Sequence, residues 1–488
     1  MSDFPVSAVP NTMCASFRHL FVLLLTVLPS IVAGQPTAPG TDGSALERSQ
    51  AFAAEMEAYE EQLGDLESRY GPYHRSLLEP LQGMTALADR DQDYEFVSAL
   101  QERQLQVMRT VYGFRNPELV PLMHAIIAND LLRQNWAAVA DHLEHIRYLR
   151  ADAPPEEKLQ ILAQQIDWFL QRVALDDRGE RARNFMHARE LVEEMVDLAE
   201  ETYGEGSPEL VPWHYRSALT DYRLVELLNS DRGLSSDVID RLVHTDGIGR
   251  LQTARTGAAI DINQLLGSGN FIPVVEEGEL IGEAYLRDGM RTLEKIGEIA
   301  AQQGNLEAQA MAKIYEADFQ HIMGSRLAYR KYREAREQLL EAGLDEARIE
   351  TYLNTPMLIP VPRLFLSLDA ALADQQRQRT LGAYTGDGIT LGQLVAWDDG
   401  VPNVLRPEAE DPLLAVDIAY DRVDLTLSVS TSGGISSVDV LAAEPDERSV
   451  ERKASRAVRD IRVRPAIVAG KPRRTRDVHV RYLTPSEN

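Results

Sequence analysis

The sequence predicts a mainly α-helical protein of stacked helix pairs, followed by a small C-terminal α+β domain. Apolar residues recur at helical spacing to about residue 375, a turn motif repeats within that region, and apolar and polar residues alternate after Val423. A chain of 488 residues is long enough for several domains. The predicted division is a signal peptide or signal-anchor (1–34), a flexible segment (35–45), helical repeats (46–262), further helical hairpins (263–375), a linker (376–415) and the α+β domain (416–484).

The N-terminal segment has the layout of an export signal. Residues 20–34 form an apolar run that follows Arg18 and His19 and ends in small residues. This run is shorter than the roughly 20 residues that a membrane-spanning helix needs. Pro29 near its end also favours cleavage before Gln35, which predicts a periplasmic protein. The alternative is an uncleaved signal-anchor that holds the chain in the inner membrane, facing the periplasm.

Composition and charge exclude several classes of protein. With 44% hydrophobic and 26% charged residues, the chain is neither wholly disordered nor a multi-span membrane protein. A single cysteine, Cys14, excludes a disulfide scaffold. The formal net charge of −26 argues against nucleic acid as a partner. Residues 445–484 nevertheless carry 12 Lys and Arg against 5 Asp and Glu, which predicts an acidic body and a basic tail with different partners.

The predicted body begins with an amphipathic helix and contains a repeated turn. Residues 112–121 (YGFRNPELVP) return as 203–212 (YGEGSPELVP), and a weaker copy starts at Tyr70. In the two strong copies, Gly ends one helix and Asn-Pro or Ser-Pro starts the next. The first helix is marked by apolar residues three and four apart, at Phe52, Met56, Tyr59, Leu63, Leu66 and Tyr70.

A second motif gives the repeats a family resemblance. Residues 131–140 (LLRQNWAAVA) have the pattern of a turn between two helices, after which Trp136, Val139 and Leu143 share one helix face. In patches over residues 46–345, the chain resembles degenerate tetratricopeptide repeats. This resemblance implies an extended groove that binds a protein partner. The alternative is a plain helical array whose groove binds nothing, or only the chain's own segments.

The C-terminal part changes from helical to extended patterning. Residues 376–415 are rich in turn-forming residues, and Val395–Trp397 is either a short edge strand or a plug against the helices. Beyond Val423 the pattern predicts the order β–β–α–β–β. The predicted elements are a strand over 425–429, a turn at 432–434, a strand over 435–441, a helix over 450–461, an extended run from 463 and a last strand over 478–483.

These C-terminal residues resemble the TonB C-terminal domain over about residues 416–484. The most specific part is Arg464-Pro465-Ala466 followed by Gly470-Lys471-Pro472. The sequence departs from the family in having Ile461 and Val463 at positions that are usually aromatic, and in lacking a Pro-rich spacer. The resemblance implies a small periplasmic domain that adds a partner's strand to its sheet edge, typically a segment of an outer-membrane transporter.

The last strand, Val478–Leu483, is the candidate docking edge. Its basic residues favour an acidic partner, whereas the alternative is that they only protect the edge from aggregation. The candidate partner-binding residues are Arg474, Arg476, Val478, Val480, Arg481 and Tyr482.

The sequence lacks the common catalytic motifs. It contains no G-x-S-x-G, H-E-x-x-H or phosphate-binding loop pattern, so neither an enzyme nor a cofactor is expected. His142 and His145 are three residues apart on a predicted helix, but no third metal ligand is evident, which favours surface histidines.

The sequence as a whole predicts an exported periplasmic adaptor that binds proteins through a helical groove and a strand-docking domain. The alternative is a TonB-type energy transducer, anchored in the inner membrane, that acts on outer-membrane transporters.

Overall fold

The computed structural model describes residues 42–133, 135–175, 178–230, 277–381, 388–396, 402–403 and 420–485. The expected export signal, residues 35–41 of the flexible segment, residues 231–276 of the predicted helical body and most of the linker lie outside the described residues. Residues 42–45, predicted to be flexible, begin the first helix. Within these ranges, no helix combines the length and the apolar character that crossing a membrane requires.

The described chain is mainly helical with a small C-terminal sheet, as the sequence predicts. Most helices pack against the next one along the chain. The long helices are α1 (Asp42–Tyr70), α2 (Leu78–Arg90), α3 (Tyr94–Tyr112), α4 (Val120–Leu132), α5 (Trp136–Leu149), α6 (Pro155–Leu175), α7 (Arg178–Tyr203), α8 (Val211–Ser230), α9 (Glu277–Gln302), α10 (Leu306–Ile322), α11 (Leu327–Glu341), α12 (Glu346–Leu353) and α13 (Leu368–Leu381).

The repeated turn has the predicted geometry. Helix α3 ends at Gly113, whose φ of 91° is favourable only for glycine. Asn116 then accepts a hydrogen bond from the Glu118 amide at 2.9 Å and caps a short 3₁₀ helix, Pro117–Leu119, that runs into α4. The copy at residues 203–212 also runs through a 3₁₀ helix, Pro208–Leu210, into α8, but Ser207 makes no side-chain capping hydrogen bond there.

The helical body contains separate apolar cores. The first lies between α1, α2 and α3, and the second between α3, α4, α5 and α6. The third is much larger and joins α6 through α13. It also includes Ile467, which belongs to the C-terminal region, so the helical and C-terminal parts share one core.

The C-terminal region contains one five-stranded sheet and two small ribbons. The sheet has the strand order β3-β2-β9-β4-β5, and helix α14 (Arg448–Asp460) covers one face. One ribbon pairs β1 with β6, and the other pairs β7 with β8. The strands are β1 (Met357–Leu358), β2 (Ile389–Ala396), β3 (Pro402–Asn403), β4 (Tyr420–Val429), β5 (Ile435–Glu444), β6 (Val463–Arg464), β7 (Ala466–Val468), β8 (Lys471–Arg473) and β9 (Thr475–Pro485).

The predicted β–β–α–β–β order is present in β4, β5, α14, β6 to β8 and β9. The predicted linker, however, contributes structure that the sequence analysis did not anticipate. Its residues 376–381 complete α13, and β2 is an eight-residue strand rather than a short edge strand or plug. The close approach of these two elements is visible at Gly392, where a Cβ would lie 3.0 Å from the Gln378 carbonyl oxygen.

Candidate partner-binding site

The predicted docking edge, Val478–Leu483, lies inside the sheet. Strand β9 pairs with β4 on one side and with β2 on the other, in parallel. The register aligns Val478 with Ile389 and Leu483 with Val395. Because both sides of β9 are hydrogen-bonded, the expectation of a free edge here is wrong.

Three of the predicted partner-binding residues are core residues. Val478, Val480 and Tyr482 are buried and pack against α14 and the neighbouring strands. Burial raises the pKa of the Tyr482 hydroxyl far above its ordinary value, so this group remains neutral. These side chains stabilise the sheet and are not available to a partner.

The three predicted arginines have different environments. Arg481 forms a bidentate ion pair with Asp424 on β4, at 2.7 and 3.0 Å. Arg474 is exposed and donates a long hydrogen bond, 3.4 Å, to the Ser436 hydroxyl. Arg476 is also exposed. Only Arg474 and Arg476 are therefore accessible at the surface, and they lie at the start of β9.

The opposite edge of the sheet is open in the part of the chain that the structure describes. Strand β5 pairs there with β4 alone, so its outer backbone amides and carbonyls face away from the sheet. Irregular pairing near Ser436 and Leu441 divides the strand and leaves a regular stretch, Ser437–Val440. Leu441 is 54% exposed at the second irregularity. This edge has the features that strand addition requires.

A row of arginines lies on the helix that packs against the open-edge strand. Helix α14 packs on β5 through an apolar face that includes Ala454 and Val458. Apart from Ser449, the exposed residues of this helix are arginines, which recur at steps of four, four and three and therefore share one face. Among the described residues, no carboxylate forms an ion pair with this row, which consists of Arg448, Arg452, Arg456 and Arg459.

The sheet is fixed to the helical body by a fully buried ion pair. The Arg464 side chain is 0% exposed and that of Asp318, on α10, is 1% exposed. Arg464 Nε lies 2.7 Å from Asp318 Oδ1, and its terminal nitrogen lies 2.5 Å from Oδ2. The pair joins residues that are 146 positions apart in the sequence.

Aromatic rings complete this joint. The Tyr332 hydroxyl donates to Asp318 at 2.6 Å, and the Arg464 guanidinium lies 5.8 Å from the Tyr332 ring and 5.2 Å from the Tyr352 ring. Burial by itself would lower the pKa of Arg464, but the Asp318 carboxylate outweighs it and raises that pKa well above the usual value. The pair therefore remains charged inside the protein.

Backbone contacts surround the ion pair. Strand β6 pairs with β1 of the body, and Tyr329 donates to the Thr431 carbonyl at 2.8 Å. Gly433, with a φ of 75°, lies against the Val463 carbonyl, and a Cβ there would overlap this oxygen. The residues that resemble the TonB motif thus contact the protein's own helical body. Sequence reasoning missed this role, although an arginine within an apolar run, Ile461–Ile467, was a detectable signal.

The histidines on α5 take part in local contacts. His142 Nε2 lies 3.5 Å from Asp130, and His145 Nδ1 lies 3.4 Å from the Arg109 guanidinium. Burial lowers the pKa of both imidazoles, and Arg109 contributes to the shift at His145. Within the described ranges, no group of three or more His, Cys, Asp or Glu residues could hold a metal ion.

Comparison with known proteins does not assign the chain to a family. No protein-family model matches the sequence, and a search of curated proteins finds no significant match.

Proposed function

We propose that this protein is an exported periplasmic adaptor that captures an extended segment of a partner protein at the open edge of its C-terminal sheet. The observation that carries the proposal is strand β5, which is paired on one side only in the described chain and lies beside the basic row on α14. The apolar run at residues 20–34 supports export.

Strand addition explains how such an edge binds a partner. An incoming strand satisfies the outer amides and carbonyls of β5, and its alternate side chains face opposite sides of the extended sheet. On the α14 side they would approach the basic row, which favours acidic residues. On the other side, Asp439 favours neutral or basic ones. The partner segment that we expect is therefore short and extended, with acidic residues at alternate positions.

The helical body would present this edge on a rigid support. Under this proposal its helix pairs form a tetratricopeptide-like stack, and the buried Arg464–Asp318 pair prevents the sheet from moving independently. A rigid mount reduces the entropy lost on binding.

Site-specific cross-linking tests the proposed edge. A photoreactive amino acid replaces Asp439 or Leu441 on β5, and a control replaces Leu306, which is 43% exposed on α10. We expect cross-links in the native envelope from β5 positions to one extended segment of one protein, and none from Leu306. Reversing the four α14 arginines to Glu should reduce the yield. Cross-links that are equal at all three positions would refute the edge assignment.

The same preparation addresses the anchored alternative. N-terminal sequencing and membrane partition show whether residues 20–34 are retained. A mature chain that starts near Gln35 supports the adaptor. A chain held in the inner membrane by these residues would overturn it in favour of a TonB-type energy transducer.

A further inference from the structure

Arginines of the helical body fall into two groups. Many form ion pairs with carboxylates, which is expected for an acidic chain, as Arg69, Arg90 and Arg147 illustrate. Arg75, Arg109 and Arg115 differ. Within the described chain, each of these three guanidinium groups has an aromatic ring as its neighbour and no carboxylate within ion-pair distance.

These three arginines form a connected surface with their aromatic neighbours. The Arg75 guanidinium lies 5.8 Å from the centre of the Tyr112 ring, Arg109 lies 5.6 Å from Phe114, and Arg115 lies 5.2 Å from Tyr148. The second and third pairs are adjacent because Phe114 directly precedes Arg115 in the sequence. The first and second pairs are adjacent because Arg109 lies one helical turn before Tyr112. We call these six residues the aromatic–arginine patch.

The patch exposes unusual amounts of aromatic surface. Phe114 is 68% exposed and Tyr148 is 50% exposed. Large exposed aromatics cost solvation energy and contribute little to folding, whereas Tyr and Arg are the residues that dominate binding surfaces. Stacking on a ring leaves the N–H edges of the exposed Arg75 and Arg115 guanidinium groups free to donate to an anion, whereas Arg109 is half-buried and one of its terminal nitrogens lies 3.4 Å from His145 Nδ1.

The patch arises at the turns that start at Tyr70 and Tyr112, and the copy at residues 203–212 does not reproduce it. At that copy, Glu205 and Gly206 replace Phe114 and Arg115. Tyr203 there lies against Trp213, and burial raises the pKa of its hydroxyl. The repeated turn therefore does not require the exposed aromatic–arginine pair, which points to a role other than folding.

We propose that the aromatic–arginine patch is a second docking surface, which binds an acidic peptide segment of a partner protein that carries aromatic or apolar side chains. Three unpaired positive charges on a protein of net charge −26 select locally for carboxylates. The exposed rings select for apolar or aromatic neighbours. A polyanion such as RNA extends beyond the patch, so the acidic remainder of the body would repel it more strongly than a short peptide. This inference is independent of the proposed edge on β5.

The test measures peptide binding on a chain whose α14 row is neutral. In the background R448Q/R452Q/R456Q/R459Q, a fluorescein-labelled peptide of alternating Glu and Tyr is titrated by fluorescence anisotropy. Because arginines are enriched among the residues that dominate binding surfaces, R75Q/R109Q/R115Q should weaken binding at least about 10-fold. The matched control, R69Q/R90Q/R147Q, removes the same charge from ion-paired sites and should remain within about 2-fold.

A second variant guards against a folding defect, since Arg109 is half-buried. F114A/Y148A changes only exposed rings and should also weaken binding while the circular dichroism melt is unchanged. The proposal is overturned if no saturable binding occurs, if the control loses as much affinity as the patch variant, or if polyuridylate binds the patch more tightly than the peptide. Self-association that R75Q/R109Q/R115Q abolishes would overturn it in favour of a contact between copies.

Discussion

The first half of the helical body and its second half use the same secondary structure for different purposes. Helices α1 to α5 surround two small cores and leave the turns between them exposed, together with Phe114 and Tyr148. Helices α6 to α13 surround one large core, which also takes up Ile467 from the C-terminal region. The first half exposes aromatic side chains to solvent, and the second half holds the C-terminal region through a shared core.

The environments of two arginines illustrate this difference between the halves. Arg115, in the first half, is exposed over a tyrosine ring, whereas Arg464 is completely buried against Asp318 in the second. A buried charge is tolerated only when its partners satisfy it fully. An exposed charge stays hydrated, so it costs little free energy of folding and remains available to a binding partner. The following experiments test this contrast, starting with the largest expected effect.

Deletion of residues 416–488 should unfold much of the second half and leave the first half intact. The domain division predicted from the sequence would leave the helical body folded, because a small domain with its own core is separable. The structure argues against separability, because the deletion removes Ile467 from the large core and leaves the Asp318 carboxylate without its cation. Hydrogen exchange followed by mass spectrometry should show loss of protection in α10 to α13 and retained protection in α2 to α5. Unchanged protection in α10 would restore the separable-domain interpretation.

Asp318→Ala should destabilise the full chain by about 3–5 kcal/mol, because it strands the buried guanidinium of Arg464. Urea unfolding monitored by circular dichroism measures the loss. The double variant Asp318→Leu with Arg464→Met removes both charges and should recover a substantial part of it. A loss below about 1 kcal/mol for the single variant would contradict the structural role of the pair.

Gly433→Ala should cost about 1–3 kcal/mol, because Gly433 has a positive φ and the new Cβ would overlap the Val463 carbonyl oxygen. The adjacent Gly434→Ala is a close control. Its Cβ would meet only the Ser430 hydroxyl, at 3.6 Å, so the expected effect is small. Equal losses in the two variants would show that the contact between the Ser432–Gly434 turn and β6 contributes little.

Lowering the pH from 7 to 5 should reduce the free energy of unfolding of the unmodified protein. The pKa is lowered in the folded state for His124, His142, His145, His214, His321 and His479, with burial as the main cause. The unfolded chain therefore binds more protons than the folded one as pH falls through 6.5, and stability present above that pH is lost. Asp221, whose pKa is raised, contributes in the opposite direction.

Replacement of one buried histidine isolates this effect. His214 is 3% exposed, and both burial and Lys295 lower its pKa. The melting temperature of His214→Gln should fall less between pH 7 and pH 5 than that of the unmodified protein. An identical pH dependence in both proteins would exclude His214 as a contributor.

Phe114→Ala should change the free energy of unfolding by less than about 0.5 kcal/mol, because its ring is already largely in water. Met123→Ala, in the core that the same turn leads into, should cost about 2–5 kcal/mol. Thermal and urea unfolding compare the two. A large loss for Phe114→Ala would mean that its ring stabilises the fold and would weaken the case for a docking surface.

Local patterns in the sequence predict local structure well. The spacing from Phe52 to Tyr70 lies within α1, and the repeated YG…PEL turn predicts both a helix end and a helix start. Alternation after Val423 likewise predicts β4 and its neighbours. In each case neighbouring residues carry the signal, because helical and strand periodicities depend on positions only a few residues apart.

The candidate site depends on contacts that such patterns do not encode. The sequence predicts β9 as an edge strand because β2, about 85 residues earlier, lies in a segment with the composition of a linker. Arg464 was noted as part of a motif, but its partner Asp318 is 146 residues away. Pairing across such distances leaves no periodic signal in either segment.

The position of Arg464 near the C-terminal end has a consequence for the order of synthesis. Every residue of the helical body leaves the ribosome before the cation that neutralises Asp318 is made. A chain that stops short of residue 464 keeps an uncompensated carboxylate among Tyr332, Tyr352 and their apolar neighbours. The large core therefore reaches its native state only after synthesis has passed residue 464, which lies 146 residues beyond Asp318.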